Sequence, residues 1–216
     1  MIVKDYNFEL SHEEILTPLK DILSYAKKEF IPVLLEDTSL LLIDTLKKHK
    51  PKSILEIGTA IGYSGLIMLN AVQNVKLTTI ELNKENYTIA KSNFTKYNMN
   101  ANVNQILGDA YDEINKLAKS NQQFDFIFLD GPKGQYIKYL SILDKLLSKD
   151  GIIFADDVLF MSNIYGNGVV KHKHRAMITK LREYVKEVTT NKKYDTIIYN
   201  VGDGVAITKI KGETNE

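Results

Sequence analysis

Three acids and one amine stand where chemistry would be expected. Apolar runs at 124–129 and 151–155 end in Asp130 and in the pair Asp156-Asp157, and Lys133 follows three positions after the first acid. Two more acids close apolar runs in the same way, Glu81 after 76–80 and Asp109 in Gly108-Asp109-Ala110 after 103–107. In an open α/β sheet the carboxyl ends of parallel strands share one crevice. Taken singly, each acid is explained as the cap of a following helix. Three carboxylates converging in one crevice repel one another unless a cation lies among them. Asp130, Asp156 and Asp157 therefore suggest a hard divalent ion, magnesium before calcium for an octahedral oxygen site that keeps waters for a substrate. Scattered histidines and a complete lack of cysteine argue against zinc. Lys133 is either a solvated lysine at a helix start or an amine beside the ion. In the second case positive surroundings lower its proton affinity and let it take a hydroxyl proton.

A second group of residues suggests what the reaction partner is. Ile54, Leu55 and Ile57 form an apolar strand that runs into Gly58-Thr59-Ala60-Ile61-Gly62, with Tyr63-Ser64 opening a helix. Such a turn aims helix amides at a nucleotide-like ligand. Glu81 lies about 20 residues further on, where an acid can accept hydrogen bonds from ribose hydroxyls. The Gly58-x-x-x-Gly62 spacing lacks the G-x-G pair that seats a pyrophosphate, which disfavours a nicotinamide dehydrogenase. A cofactor without pyrophosphate is favoured, and S-adenosylmethionine fits. Metal, amine and sulfonium together would deprotonate an acidic hydroxyl and methylate its oxygen.

The elements that must position these residues follow from periodicity. Apolar strands at 53–57, 76–80, 103–107, 124–129 and 151–155 alternate with helices, which implies a parallel sheet covered on both faces. The tail differs: 196–201, Gly202-Asp203-Gly204 and 205–210 read as an antiparallel hairpin. Together they predict an α/β fold, and this order of elements resembles the doubly wound, Rossmann-like sheet of the class I methyltransferases, with helices added in residues 1–50. Ser11-His12-Glu13-Glu14 has the form of a capping box, predicting a helix from there to Phe30, stopped by Pro32. A second helix is expected over 37–49, with Leu34 in the turn between them. Further helices are expected at 63–72 and 84–97.

With 216 residues and 44% hydrophobic content, the chain can bury one substantial core, so a single domain over 1–216 is expected. No apolar run is long enough to span a bilayer, and a cytoplasmic protein is expected. The net charge of +1 excludes only a globally basic nucleic-acid binder. A local basic run exists at Lys171-His172-Lys173-His174-Arg175, with Lys180 and Arg182 beyond it. It is either a solvated helix face or a surface for RNA phosphates.

These residues resemble the cation-dependent O-methyltransferases that include the catechol and caffeoyl-CoA enzymes. The likeness covers nearly the whole chain: Glu56-Ile57-Gly58, Tyr63-Ser64, Glu81, Gly108-Asp109-Ala110, Asp130-x-x-Lys133 and Asp156-Asp157 each fall on a family motif in order. It implies an S-adenosylmethionine site built from Leu34, Glu56, Gly58, Tyr63, Ser64, Glu81, Asp109 and Ala110, with Asp130 also near the cofactor. It further implies magnesium or another hard divalent ion held by Asp130, Asp156 and Asp157, Lys133 as catalytic base, and a homodimer. One position departs, since the family usually has Asn where this chain has Asp157. Within the family, Lys133-Gly134-Gln135-Tyr136, Asp157-Val158-Leu159-Phe160 and 201–207 resemble the bacterial enzymes that turn wobble 5-hydroxyuridine of tRNA into 5-methoxyuridine. That likeness implies a tRNA anticodon partner contacted by Lys171, Lys173 and Arg175, with 161–167 as a lid. The alternatives are a catechol-like or caffeoyl-CoA-like small acceptor, and a cofactor-binding assembly module without catalysis.

Overall fold

The structure, a computed structural model, describes residues 3–159 and 174–212. Along the chain the elements are β1 (Val3–Lys4), α1 (Glu13–Leu16), α2 (Lys20–Lys28), α3 (Glu36–His49), β2 (Ser53–Ile57), α4 (Tyr63–Ala71), β3 (Lys76–Glu81) and α5 (Lys84–Lys96). They continue as β4 (Val103–Leu107), α6 (Ala110–Lys119), β5 (Phe124–Leu129), α7 (Tyr136–Leu146), β6 (Leu147–Ala155), α8 (Arg175–Thr190), β7 (Tyr194–Tyr199) and β8 (Val205–Ile210). The chain forms two compact units, residues 7–113 and residues 1–6 with 114–216.

In the unit of residues 7–113, β2, β3 and β4 pair in parallel, Ile57 opposite Ile80 and Glu81 opposite Leu107. The strand ends that carry Gly58, Glu81 and Gly108 are thereby level. Ile54, Leu55 and Ile57 are fully buried, as a strand covered on both faces requires. In the other unit β5 and β6 are parallel, while β8 is antiparallel to both β6 and β7. In its core the Phe154 ring packs against Phe126 and Phe128, at centroid distances of 6.1 and 5.7 Å. The architecture is therefore mixed α/β, mostly parallel, with a terminal antiparallel hairpin.

Most predicted boundaries agree within two residues, but the N-terminal segment differs. Ser11 does not cap the first helix. The N-cap is His12, in the left-handed region (φ 49°, ψ 35°), with no side chain accepting from the helix amides. The imidazole is buried, its Nε2 2.6 Å from Asp44 on α3 and its Nδ1 3.1 Å from the Lys47 amine. Glu14 turns to Lys47 at 2.9 Å instead of back to the Ser11 amide. Tertiary partners on α3 outcompete the local box. The predicted single helix also breaks into α1 and α2 through a 3-10 turn at Thr17–Leu19, because Pro18 cannot donate to the helical ladder. Among the described residues no helix is long and apolar enough to cross a membrane.

Candidate active site

The turn after β2 is built on left-handed backbone. Gly58, Ala60 and Gly62 have φ of 100°, 44° and 85°. The amides of Gly58 and Thr59 both donate to the Ile80 carbonyl, at 3.0 and 3.2 Å, tying the turn to β3. At Gly62 a Cβ would sit 3.1 Å from the Phe94 ring, so both conformation and space demand glycine. Beneath the turn Glu56 is fully buried. One carboxylate oxygen accepts from the Ser64 hydroxyl and the other from the Thr79 hydroxyl, each at 2.5 Å, and Thr59 and Thr79 are themselves 2.5 Å apart. Glu56 and Ser64, predicted to line a cofactor pocket, form the internal brace of the turn. Thr59 and Thr79 escaped the sequence reading. The usable signal was a threonine in an otherwise apolar buried strand.

Glu81 accepts the Ala60 amide on one oxygen at 2.8 Å and the Asn83 amide on the other at 2.7 Å. Each oxygen retains acceptor capacity, so the acid both orders the turn and can take ribose hydroxyls. Asp109 accepts the amides of Tyr111 and Asp112 at 2.9 and 3.3 Å through one oxygen, capping α6, which Ala110 opens. Tyr63 and Leu34 are buried, and burial raises the Tyr63 phenol above its ordinary pKa. All of these residues belong to the unit of residues 7–113.

Asp130, Asp156, Asp157 and Lys133 all lie in the other unit. Leu129 is level with Ala155, so the residues that follow β5 and β6 emerge side by side. The Asp156 amide donates to the Leu129 carbonyl at 3.0 Å and locks that register. Asp157 is left-handed (φ 58°), and its amide donates to the Asp156 carboxylate at 2.7 Å. The next two amides, of Val158 and Leu159, donate to the Gly204 and Asp203 carbonyls of the β7–β8 turn at 2.9 and 2.8 Å. One oxygen from each of the three acids lies within 4.8 Å of the others.

The Lys133 ammonium sits 2.6 Å from Asp130 and 2.9 Å from Asp157. Burial works against this charge, but the carboxylates of Asp130 and Asp157 outweigh it and hold the lysine pKa above its ordinary value. Burial, joined by the charge of Asp157, raises Asp130 in spite of Lys133. Burial and the charges of Asp130 and Asp157 raise Asp156 further. Three carboxylates against one ammonium leave negative charge uncompensated in a desolvated place. The donor set, all oxygen and clustered, fits a hard divalent cation. Asp157 directs Oδ2 to Lys133, so its carboxylate is held by an ion pair within the cluster.

Lys171, Lys173 and the expected lid at 161–167 lie outside the described residues; Arg175 opens α8. Tyr136 was read only as part of a motif, though its hydroxyl reaches both strand ends that carry the acids.

Strand arrangement, the glycine turn after β2 and the acids after β5 and β6 define a methyltransferase fold of class I. A family model described as O-methyltransferase matches residues 11–211, and the chain belongs to that family. Among its relatives, caffeoyl-CoA O-methyltransferase of Medicago sativa is 28% identical over 174 residues, 75% of this chain and 68% of that one. Tapetum-specific methyltransferase 1 of Arabidopsis thaliana is 28% identical over 175 residues, 79% of this chain and 75% of that one. A Staphylococcus aureus structure provisionally named caffeoyl-CoA O-methyltransferase superposes with a TM-score of 0.82 at 30% identity, covering 90% of this chain and 92% of that one. An O-methyltransferase from Bacillus cereus in complex with SAH shares the fold, with a TM-score of 0.80 at 21% identity over 92% and 94% of the two chains.

Proposed function

We propose that this chain transfers the methyl group of S-adenosylmethionine to one oxygen of a vicinal oxygen pair, in a reaction that requires a divalent cation. The acceptor in this reading is a catechol-like aromatic, such as a caffeoyl group. The observation that carries it is the cluster of Asp130, Asp156 and Asp157 with Lys133 wedged between two of them. Relatives named caffeoyl-CoA O-methyltransferase support the acceptor class.

The residues divide the work. The turn at Gly58–Gly62, the remaining acceptor capacity of Glu81 and the second oxygen of Asp109 bind the cofactor. Bound among the three acids, a divalent cation would neutralise them in place of Lys133 and polarise the acceptor hydroxyl. With such a cation beside it to lower its proton affinity, Lys133 would first release its ammonium proton to solvent and then, as the neutral amine aimed by Asp130 and Asp157, take the hydroxyl proton. The acceptor oxygen then forms its bond to the methyl carbon as the sulfur–carbon bond breaks, leaving S-adenosylhomocysteine.

A second acceptor, the wobble 5-hydroxyuridine of tRNA, is favoured by a different observation. A cleft of about 660 Å³ that opens at Lys133 is bordered by Lys138 and by Lys180, which pairs with Glu183 at 2.8 Å and could exchange that partner for the phosphate of an acceptor. The 5-hydroxyl and 4-carbonyl of that base offer two adjacent oxygens, as a catechol does. Labelled S-adenosylmethionine offered with catechols, with caffeoyl-CoA and with tRNA carrying 5-hydroxyuridine separates the two acceptors. Turnover that survives exhaustive chelation overturns the metal-dependent mechanism for both. We also propose a homodimer formed through the N-terminal segment, where Tyr25, Phe30 and Leu35 remain exposed. A monomeric mass by light scattering refutes it.

A further inference from the structure

Tyr136, the first residue of α7, is fully buried, yet its hydroxyl makes no contact that the proposed chemistry requires. It lies 3.0 Å from the carbonyl of Leu129 and 3.2 Å from the carbonyl of Asp156. A phenol has one proton to give, so the two carbonyls share it. Leu129 immediately precedes Asp130, and Asp156 is itself one of the acids. The shared proton therefore joins the end of β5 to the end of β6, in addition to the backbone bond from the Asp156 amide to the same Leu129 carbonyl. Above the same ring the Lys133 ammonium stands 5.8 Å from the centroid, within cation–π range. Tyr184 packs edge-on at 5.5 Å and holds the ring in place.

We propose that Tyr136 is a positioning residue for the metal site: its hydroxyl sets the separation of the two strand ends carrying Asp130 and Asp156, and its ring face seats Lys133. This rests on the divalent-cation reading above. A neutral staple suits the task, because a charged group in that place would compete with the ion or repel it.

Tyr136→Phe removes the hydroxyl and keeps the ring, its packing and the lysine seat. Manganese binding to the free protein, measured by calorimetry or by the electron paramagnetic resonance of unbound ion, reads the effect without turnover. One lost hydrogen bond predicts a dissociation constant raised about fivefold to tenfold. The metal activation curve should shift to higher concentration by the same factor, with activity recovering at saturating manganese and with S-adenosylmethionine affinity unchanged. Tyr184→Phe is the control: its hydroxyl is equally buried and touches neither carbonyl, so its removal leaves manganese affinity unchanged. Should Tyr136→Phe bind manganese as wild type does, or should Tyr184→Phe weaken binding equally, the positioning role is wrong. Should wild type bind no divalent ion, the metal reading itself is wrong and this inference falls with it.

Discussion

Thr79→Val tests the brace under the glycine turn, because it removes one hydroxyl and almost nothing else. Thr79 lies 2.5 Å from the Glu56 carboxylate and 2.5 Å from the Thr59 hydroxyl. Its single proton goes to the carboxylate, so the Thr59 hydroxyl must donate to Thr79, and the relay runs from the turn through β3 to the buried acid. Valine has nearly the same shape and an equal preference for strands, so packing survives. What is lost is one hydrogen bond to a buried carboxylate, about 1.5–3 kcal/mol, and with it the anchor of Thr59. For a chain of this size a loss of about 2 kcal/mol lowers the melting temperature by about 4–8 °C. If about half of that loss is expressed as disorder of the turn at Gly58–Gly62, the dissociation constant for S-adenosylmethionine rises about fivefold. Differential scanning calorimetry and titration calorimetry read the two effects separately, and Thr79→Ser should restore both. A lowered melting temperature with unchanged cofactor affinity would refute the link between brace and turn. No change in either would refute the relay altogether.

Other expectations follow from the same geometry. Lys133→Ala should lower kcat by about 100-fold to 10,000-fold, the usual contribution of a positioned base, while retaining S-adenosylmethionine binding by calorimetry. Asp130→Ala should abolish metal-stimulated turnover, and excess chelator should do the same to wild type, with activity returning on addition of magnesium. Gly62→Ala forces a side chain into left-handed backbone (φ 85°) with Phe94 3.1 Å away, which should cost about 1–2 kcal/mol in the backbone term alone by urea unfolding. Asp21 is held below the ordinary carboxylate range by hydrogen bonds from Lys96 and then Tyr97. Because its folded pKa is depressed, its contribution to stability is present above about pH 4 and is lost as pH falls through the lowered value. Asp21→Asn should therefore remove part of the acid limb of a melting-temperature profile and leave its slope near neutrality unchanged.

The acids and Lys133 were legible in the sequence because strand ends are legible. A run of apolar residues that stops at an acid tells where a parallel strand meets its crevice, and β4, β5 and β8 begin and end where that reading placed them. Glycines at 58 and 62 were likewise visible, since few other residues tolerate left-handed turns. Periodicity could not show which local option prevails when a distant partner competes. His12 abandons the capping box for Asp44 and Lys47, residues brought near only when α3 packs against the first turn. Nor could it show that Thr79 serves Glu56, that Asp157 turns to Lys133, or that the Tyr136 hydroxyl reaches two strand ends at once. Each of those depends on distances between residues far apart in the chain or on the direction of a side chain. The sequence determined which groups are available and roughly where each strand presents them. Tertiary packing decided their partners, because a hydrogen bond or an ion pair forms over about 3 Å and only the folded backbone sets separations that fine.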